Sequence, residues 1–200
     1  SSNVTNDRVK NEKSFSTELG YSFHNRWLVF KANAYYTKWL DKSMTKKGKI
    51  TEQYYINMTG VHSKHMGLEF ELRATPAYWV EAGAMLSLGN WKWDSDNVKG
   101  YAYTLSGQAV TPDGGITTPG APNHAYATIN MKGIHIGGSA QTTAAIDVTF
   151  KPFTGCRIGG GFTHYSRNYA YYSLSGSSLK LGKEMNVVEP WKIPSYGCFD

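Results

Sequence analysis

The sequence predicts an all-β fold, an antiparallel transmembrane β-barrel of which about seven strands lie in these 200 residues. Three observations predict it. Apolar and polar residues alternate with period 2 through successive segments. The links between segments alternate strictly between a few residues and roughly 20 to 50, well beyond the length of ordinary structureless loops in compact domains. Aromatic side chains gather near both ends of the alternating runs. Composition agrees: aromatic residues make up 14% of the chain and glycines number 21, whereas windows rich in helix formers are missing. No apolar run approaches the roughly 18 residues of a helical span, which excludes a helix anchor but not a barrel, whose strands keep mean hydropathy low.

The first strand, Phe15 to Phe23, sets Phe15, Leu19, Tyr21 and Phe23 against Ser16, Glu18 and Gly20. A short turn, His24-Asn25-Arg26, leads into the second, with Leu28, Phe30, Ala32, Ala34 and Tyr36 opposite Lys31, Asn33 and Thr37. The third, Gly67 to Thr75, places Leu68, Phe70, Leu72 and Ala74 opposite Glu69, Glu71 and Arg73. After a turn around Pro76, the fourth carries Tyr78, Val80, Ala82, Ala84, Leu86 and Leu88 opposite Glu81, Gly83, Ser87 and Gly89. In the fifth, Ala144, Ile146, Val148 and Phe150 oppose Thr143, Asp147 and Lys151. A turn from Pro152 to Gly155 precedes the sixth, Arg157 to Thr163, and a seventh begins near Tyr196. The long links run from Asp41 to Met66, Lys92 to Ala140 and Tyr172 to Ser195.

Glu18, Lys31, Asn33, Glu69, Glu71, Arg73, Glu81, Asp147, Lys151 and Arg157 all fall on the face opposite the apolar row. In a soluble β-sandwich binding or adhesion module that face meets solvent; in a wide barrel it lines a polar lumen. Tyr21, Phe23, Trp27 and Tyr78 near the short turns, with Tyr36, Trp39, Trp91 and Trp93 near the long links, are expected as two girdles of a lipid-facing wall.

The net charge is +6, and the lysine cluster in DKSMTKKGKITE reads as a solvated loop with no nucleic-acid-binding motif. Cys156 and Cys198 match no metal spacing and read as free thiols. His62 and His65 have no acidic or cysteine partner at metal-site spacing. Gly159 to Gly161 lack the Lys-Ser/Thr of a phosphate loop and read as small residues in a strand. Glu69 and Glu71 share a face, but no partner for acid-base chemistry can be named, and no nucleophile motif occurs. An outer-membrane enzyme barrel, which needs a converging Ser/His/acid set, therefore finds no support, and neither metal nor cofactor is expected.

The stretches NEKSFSTELGYSF, LVFKANAYYTKWLDKS, INMTGVHSKHMGLEFELRATPAYW, MLSLGNWKW, RNYAYY and WKIPSYGCFD, in this order and spacing, resemble late-barrel elements of TonB-dependent outer-membrane receptors, particularly those of Bacteroidetes. The resemblance covers most of the chain. It implies a barrel of about 22 strands with an N-terminal plug, of which residues 1–200 are a C-terminal part without the plug or the final strands. It implies periplasmic short turns, extracellular long loops and a bacterial outer-membrane location. The activity implied is TonB-energised uptake of a scarce ligand such as a siderophore, cobalamin or an oligosaccharide. Implied partners are outer-membrane lipid, the TonB complex through the missing N-terminal part, and a small-molecule or glycan ligand. Trp91, Trp93, Tyr101, Tyr103, Tyr165, Tyr169, Tyr171 and Tyr172, near or in the long links, are the candidate ligand contacts, because aromatic faces stack on sugar rings or cap apolar ligands.

Overall fold

A computed structural model describes residues 11–48, 54–172 and 182–200. They form thirteen strands: β1 (Lys13–His24), β2 (Leu28–Gly48), β3 (Tyr54–Ala77), β4 (Val80–Trp93), β5 (Val98–Thr104), β6 (Ala109–Val110), β7 (Ile116–Thr117), β8 (Tyr126–Asn130), β9 (Ala140–Phe150), β10 (Ile158–Tyr169), β11 (Glu184–Asn186), β12 (Lys192–Ile193) and β13 (Tyr196–Phe199). No helix occurs among the described residues.

The seven strands predicted from alternation are β1, β2, β3, β4, β9, β10 and β13, and each pairs antiparallel with the next. This wall is an open sheet: among the described residues β1 pairs only with β2, and β13 only with β10. The short turns have local causes. Asn25 Oδ1 accepts from the amides of Trp27 and Leu28, each at 2.8 Å, and closes the first. Tyr78 and Trp79 form a two-residue hairpin between Ala77 and Val80. At the third, Gly155 takes φ 86°, where a Cβ would be strained.

Register fixes the faces. Leu28 to Tyr36, Met66 to Ala74, Ala82 to Leu88, Thr142 to Phe150, and Ile158 and Phe162 stand in matched rows on one face through their even-numbered positions. The odd-numbered residues of β1 from Phe15 to Phe23 join them. This apolar face is uncovered: Leu19 is 77% exposed, and Phe15, Leu68, Ile146, Val148 and Ile158 are also exposed. A sandwich would cover such a face with a second sheet, and the described residues supply none.

The buried core lies elsewhere. Ile56, Met58, Val61, Trp93, Val98, Ala102, Val110, Ala125, Ala127, Ile129, Met131, Tyr172, Met185 and Val187 form one cluster at the long-link end. This corrects the expectation of loops there. β2 and β3 remain paired far beyond the apolar rows, out to Gly48 opposite Tyr54, with register shifts between Trp39 and Met44. Asp41 to Gly48 is therefore strand, while 49–53 lies outside the described residues. The link after β4 folds into β5 to β8, and β5 replaces β4 as the neighbour of upper β3. The last link contributes β11, which pairs parallel to β8, and β12; residues 173–181 lie outside the described residues. The long links thus build a cap with its own core.

Candidate functional site

The polar face of the wall is tied together by cross-strand ion pairs and hydrogen bonds. Asn33 Nδ2 donates to Glu18 Oε1 at 2.6 Å, joining β2 to β1. Lys31 stands opposite Glu71 and lies 3.4 Å from it, and Glu71 in turn is 3.7 Å from Arg73 Nε. Arg73 on β3 reaches across β4 to Asp147 on β9, donating to both carboxylate oxygens at 3.0–3.1 Å. Gly83 lies between them, and a Cβ there would overlap both the carboxylate and the guanidinium. Nearer the short turns, Glu81 binds Lys151 and accepts from Arg157 Nη2 at 3.1 Å. Nine of the ten predicted polar side chains thus join three cross-strand groups. Glu69, opposite Asn33 and Ser87, shares their face and makes no ion pair among the described residues. Lys31, Asn33, Glu69, Glu71, Arg73 and Ser87 border an open trough of about 500 Å³.

Aromatic residues continue this face toward the cap. Tyr35 crosses above Gly67, where a Cβ would collide with its ring, and its hydroxyl accepts from Trp91 Nε1 at 2.8 Å. Trp91 also stacks on His65 with centroids 5.8 Å apart. The backbone of Trp91 is clamped by buried Gln141, whose Oε1 accepts from its amide and whose Nε2 donates to its carbonyl, both at 3.0 Å. Trp39, opposite Ser63, and Trp93 lie on the polar face too. The expected upper girdle on the apolar face is thereby corrected: of its four aromatics, only Tyr36 stands on that face. At the other end Trp27, Tyr78, Trp79 and Phe153 are exposed around the short turns.

The eight aromatic candidates do not form one cluster. Trp91 and Tyr165 stand on the polar face, with Tyr165 stacked on Tyr196 at 5.1 Å. Trp93 and Tyr172 meet edge to face at 5.7 Å within the cap core. Tyr101 and Tyr103 both contact the ring of His124. Tyr169 stacks on His135 at 4.2 Å, and His135 binds Glu189, so the second and third links are tied together. Tyr171 is 75% exposed. Burial pushes the Tyr172 hydroxyl up to about 12, and the Lys46 ammonium, itself lowered by burial, sits 4.5 Å above its ring. The Thr111 hydroxyl, followed by backbone amides, holds Asp113 below the ordinary carboxylate value and fixes its turn.

Sequence reading missed Tyr35, His65, Gly83 and Gln141 as site-building residues. Tyr35 and Gly83 already shared the phase of the charged row. Gln141 gave no signal, because its role depends on where the link returns. His62 and His65 serve structural contacts: His62 Nδ1 accepts from the Asp41 amide at 3.2 Å, and His65 supports Trp91. Cys156 and Cys198 are both free.

An antiparallel wall with one uncovered apolar face, one ion-paired polar face and a folded cap over alternate links defines a segment of a membrane β-barrel. The family model for TonB dependent receptor-like β-barrels matches residues 1–200, and the chain belongs to that family. Its members are outer-membrane receptors and transporters rather than enzymes. Searches of curated proteins and of solved structures returned no match.

Proposed function

We propose that this chain is a C-terminal part of the barrel of an outer-membrane receptor that takes up a scarce nutrient by TonB-energised transport. In this reading the plug, the TonB-contacting segment and the remaining strands belong to parts of the receptor outside these residues. The short turns face the periplasm and the cap faces outward. The observation that carries the reading is the registered two-faced wall: apolar rows lie uncovered on one side, and charged rows are neutralised across strands on the other. Lipid accepts the first face, and a hydrated lumen holding the plug accepts the second.

Glu18, Lys31, Asn33, Glu69, Glu71, Arg73, Glu81, Asp147, Lys151 and Arg157 then line the lumen. Mutual pairing limits the charge they present to a passing ligand, while leaving polar atoms to hydrogen-bond with the plug. Ligand contact falls first to Trp91, Tyr165 and Tyr171, the candidates that are exposed or lie on the polar face outside the buried cap core. Trp93, Tyr101, Tyr103, Tyr169 and Tyr172 serve chiefly by shaping the cap around them. The cargo is a siderophore, cobalamin or an oligosaccharide, and the source group is Bacteroidetes. The test is uptake of labelled members of each class by cells producing the whole receptor, with and without functional TonB. Saturable uptake of one class that disappears without TonB is expected. Uptake indifferent to TonB, or recovery of the receptor in the soluble fraction, overturns the reading.

A further inference from the structure

We propose that Lys38, Lys64 and Lys92 form a binding row for the phosphate groups of an outer-leaflet lipid headgroup. The inference rests on the lipid-facing assignment of the apolar face. Lys38 stands opposite Lys64, and Lys64 opposite Lys92, so three ammonium-bearing side chains occupy adjacent strands on one level. They lie on the apolar face, immediately beyond the row Tyr36, Met66 and Asn90. Lys13 of β1, opposite Leu40, extends the same face one step higher and is exposed.

Depth and spacing both fit a headgroup. From Leu28 to Lys38 the chain advances ten residues, about 33 Å along an extended strand, which becomes about 25 Å of height at ordinary barrel tilt. That is the height of a lipid-facing apolar band, so the lysines emerge where acyl chains give way to headgroups. Strands lie about 4.8 Å apart, which places three cations within about 10 Å, the scale of a phosphorylated headgroup.

Like charges directly opposite one another destabilise a sheet unless something neutralises them. Asp94 does so in part, at 3.5 Å from Lys38 and 3.7 Å from Lys64. Neither Lys92 nor Lys13 is ion-paired among the described residues. One carboxylate shared by two lysines leaves the row cationic, and an anionic headgroup supplies the missing charge at the depth where one is available.

The receptor carrying this chain is purified from outer membranes in mild detergent, and co-purified phosphorylated glycolipid is counted by native mass spectrometry. Rebinding is measured with detergent-dispersed phosphorylated glycolipid, its dephosphorylated form and inorganic phosphate as competitor. Lys38→Gln, Lys64→Gln and Lys92→Gln should each weaken rebinding roughly fivefold. Asp94→Asn should strengthen it, Lys→Arg at the three positions should preserve it, and Lys183→Gln in the cap should leave it unchanged. Heat-modifiable electrophoretic mobility shows that each variant is a folded barrel. Equal lipid retention by folded wild type and folded triple variant overturns the proposal, as does equal binding of the dephosphorylated lipid. Displacement by inorganic phosphate at concentrations matching the lipid overturns the lipid assignment. Failure of the wild type to behave as a folded barrel sinks the receptor reading together with this one.

Discussion

At the scale of single residues, the polar face depends on where a side chain is missing as well as where one is present. Gly83 lets the Arg73 guanidinium pass over β4 to Asp147, so Gly83→Val forces the pair apart and crowds the wall. A loss of about 1–3 kcal/mol is expected from such overpacking. It can be read as a lower temperature for loss of heat-modifiable mobility, with Gly160→Ala, whose nearest neighbour is a backbone oxygen at 3.5 Å, as the tolerant control. Tyr172 gives a pH signature. Its folded-state value lies above the ordinary 10.0, so its stabilising effect is complete below about 10 and disappears as pH rises toward 12. Fluorescence of Trp93, which meets this ring, should report cap loosening over that alkaline range in wild type. Tyr172→Phe should remove that part of the alkaline response, and identical profiles would count against the assignment.

At the scale of elements, the first hairpin separates the two faces experimentally. Leu19→Arg places a charge in the middle of the apolar row, where lipid exposure costs about 2–4 kcal/mol; Phe30→Arg, nearer the turn, should cost less but still impair insertion. Ser16→Arg and Asn33→Arg address the opposite face and should be tolerated much better. The measurement is the yield of folded receptor in the outer membrane, and equal yields across all four would defeat the face assignment. The hairpin was legible because period-2 phase survives translation into register: every apolar residue from Phe15 to Tyr36 faces as its phase requires. The upper parts of β2 and β3 were not legible as strands. Beyond Tyr36 the outer side is no longer uniformly apolar, so pairing continues while the hydrophobic alternation that announces a strand stops.

At the scale of the whole molecule, wall and cap are separate constructions with opposite logic. The wall exposes its apolar side chains and pairs its charges, whereas the cap buries an ordinary hydrophobic core from Ile56 to Val187. Replacing residues 94–134 with a short turn in the whole receptor should therefore leave an inserted barrel with a defective cap. The expected outcome is near-normal heat-modifiable receptor with uptake reduced more than tenfold, a loss of at least about 1.4 kcal/mol of apparent coupling. Unchanged uptake would remove the cap from the ligand path; loss of insertion would show that the wall depends on it.

The seven wall strands, their order, the short turns and the division of faces were all legible in the amino-acid sequence. These follow from local alternation and turn chemistry, which need no knowledge of distant residues. Tertiary structure decided the rest. It turned the predicted loops into a folded cap and set Gln141 beneath Trp91, whereas the polar-face position of Trp39, Trp91 and Trp93 already followed from the phase of the charged row. It also aligned Lys38, Lys64 and Lys92, which lie 26 and 28 positions apart in the chain. The cap, the Gln141 contact and the lysine row share one cause: each depends on which strands become neighbours and in what register, and that is fixed only when separated segments pair.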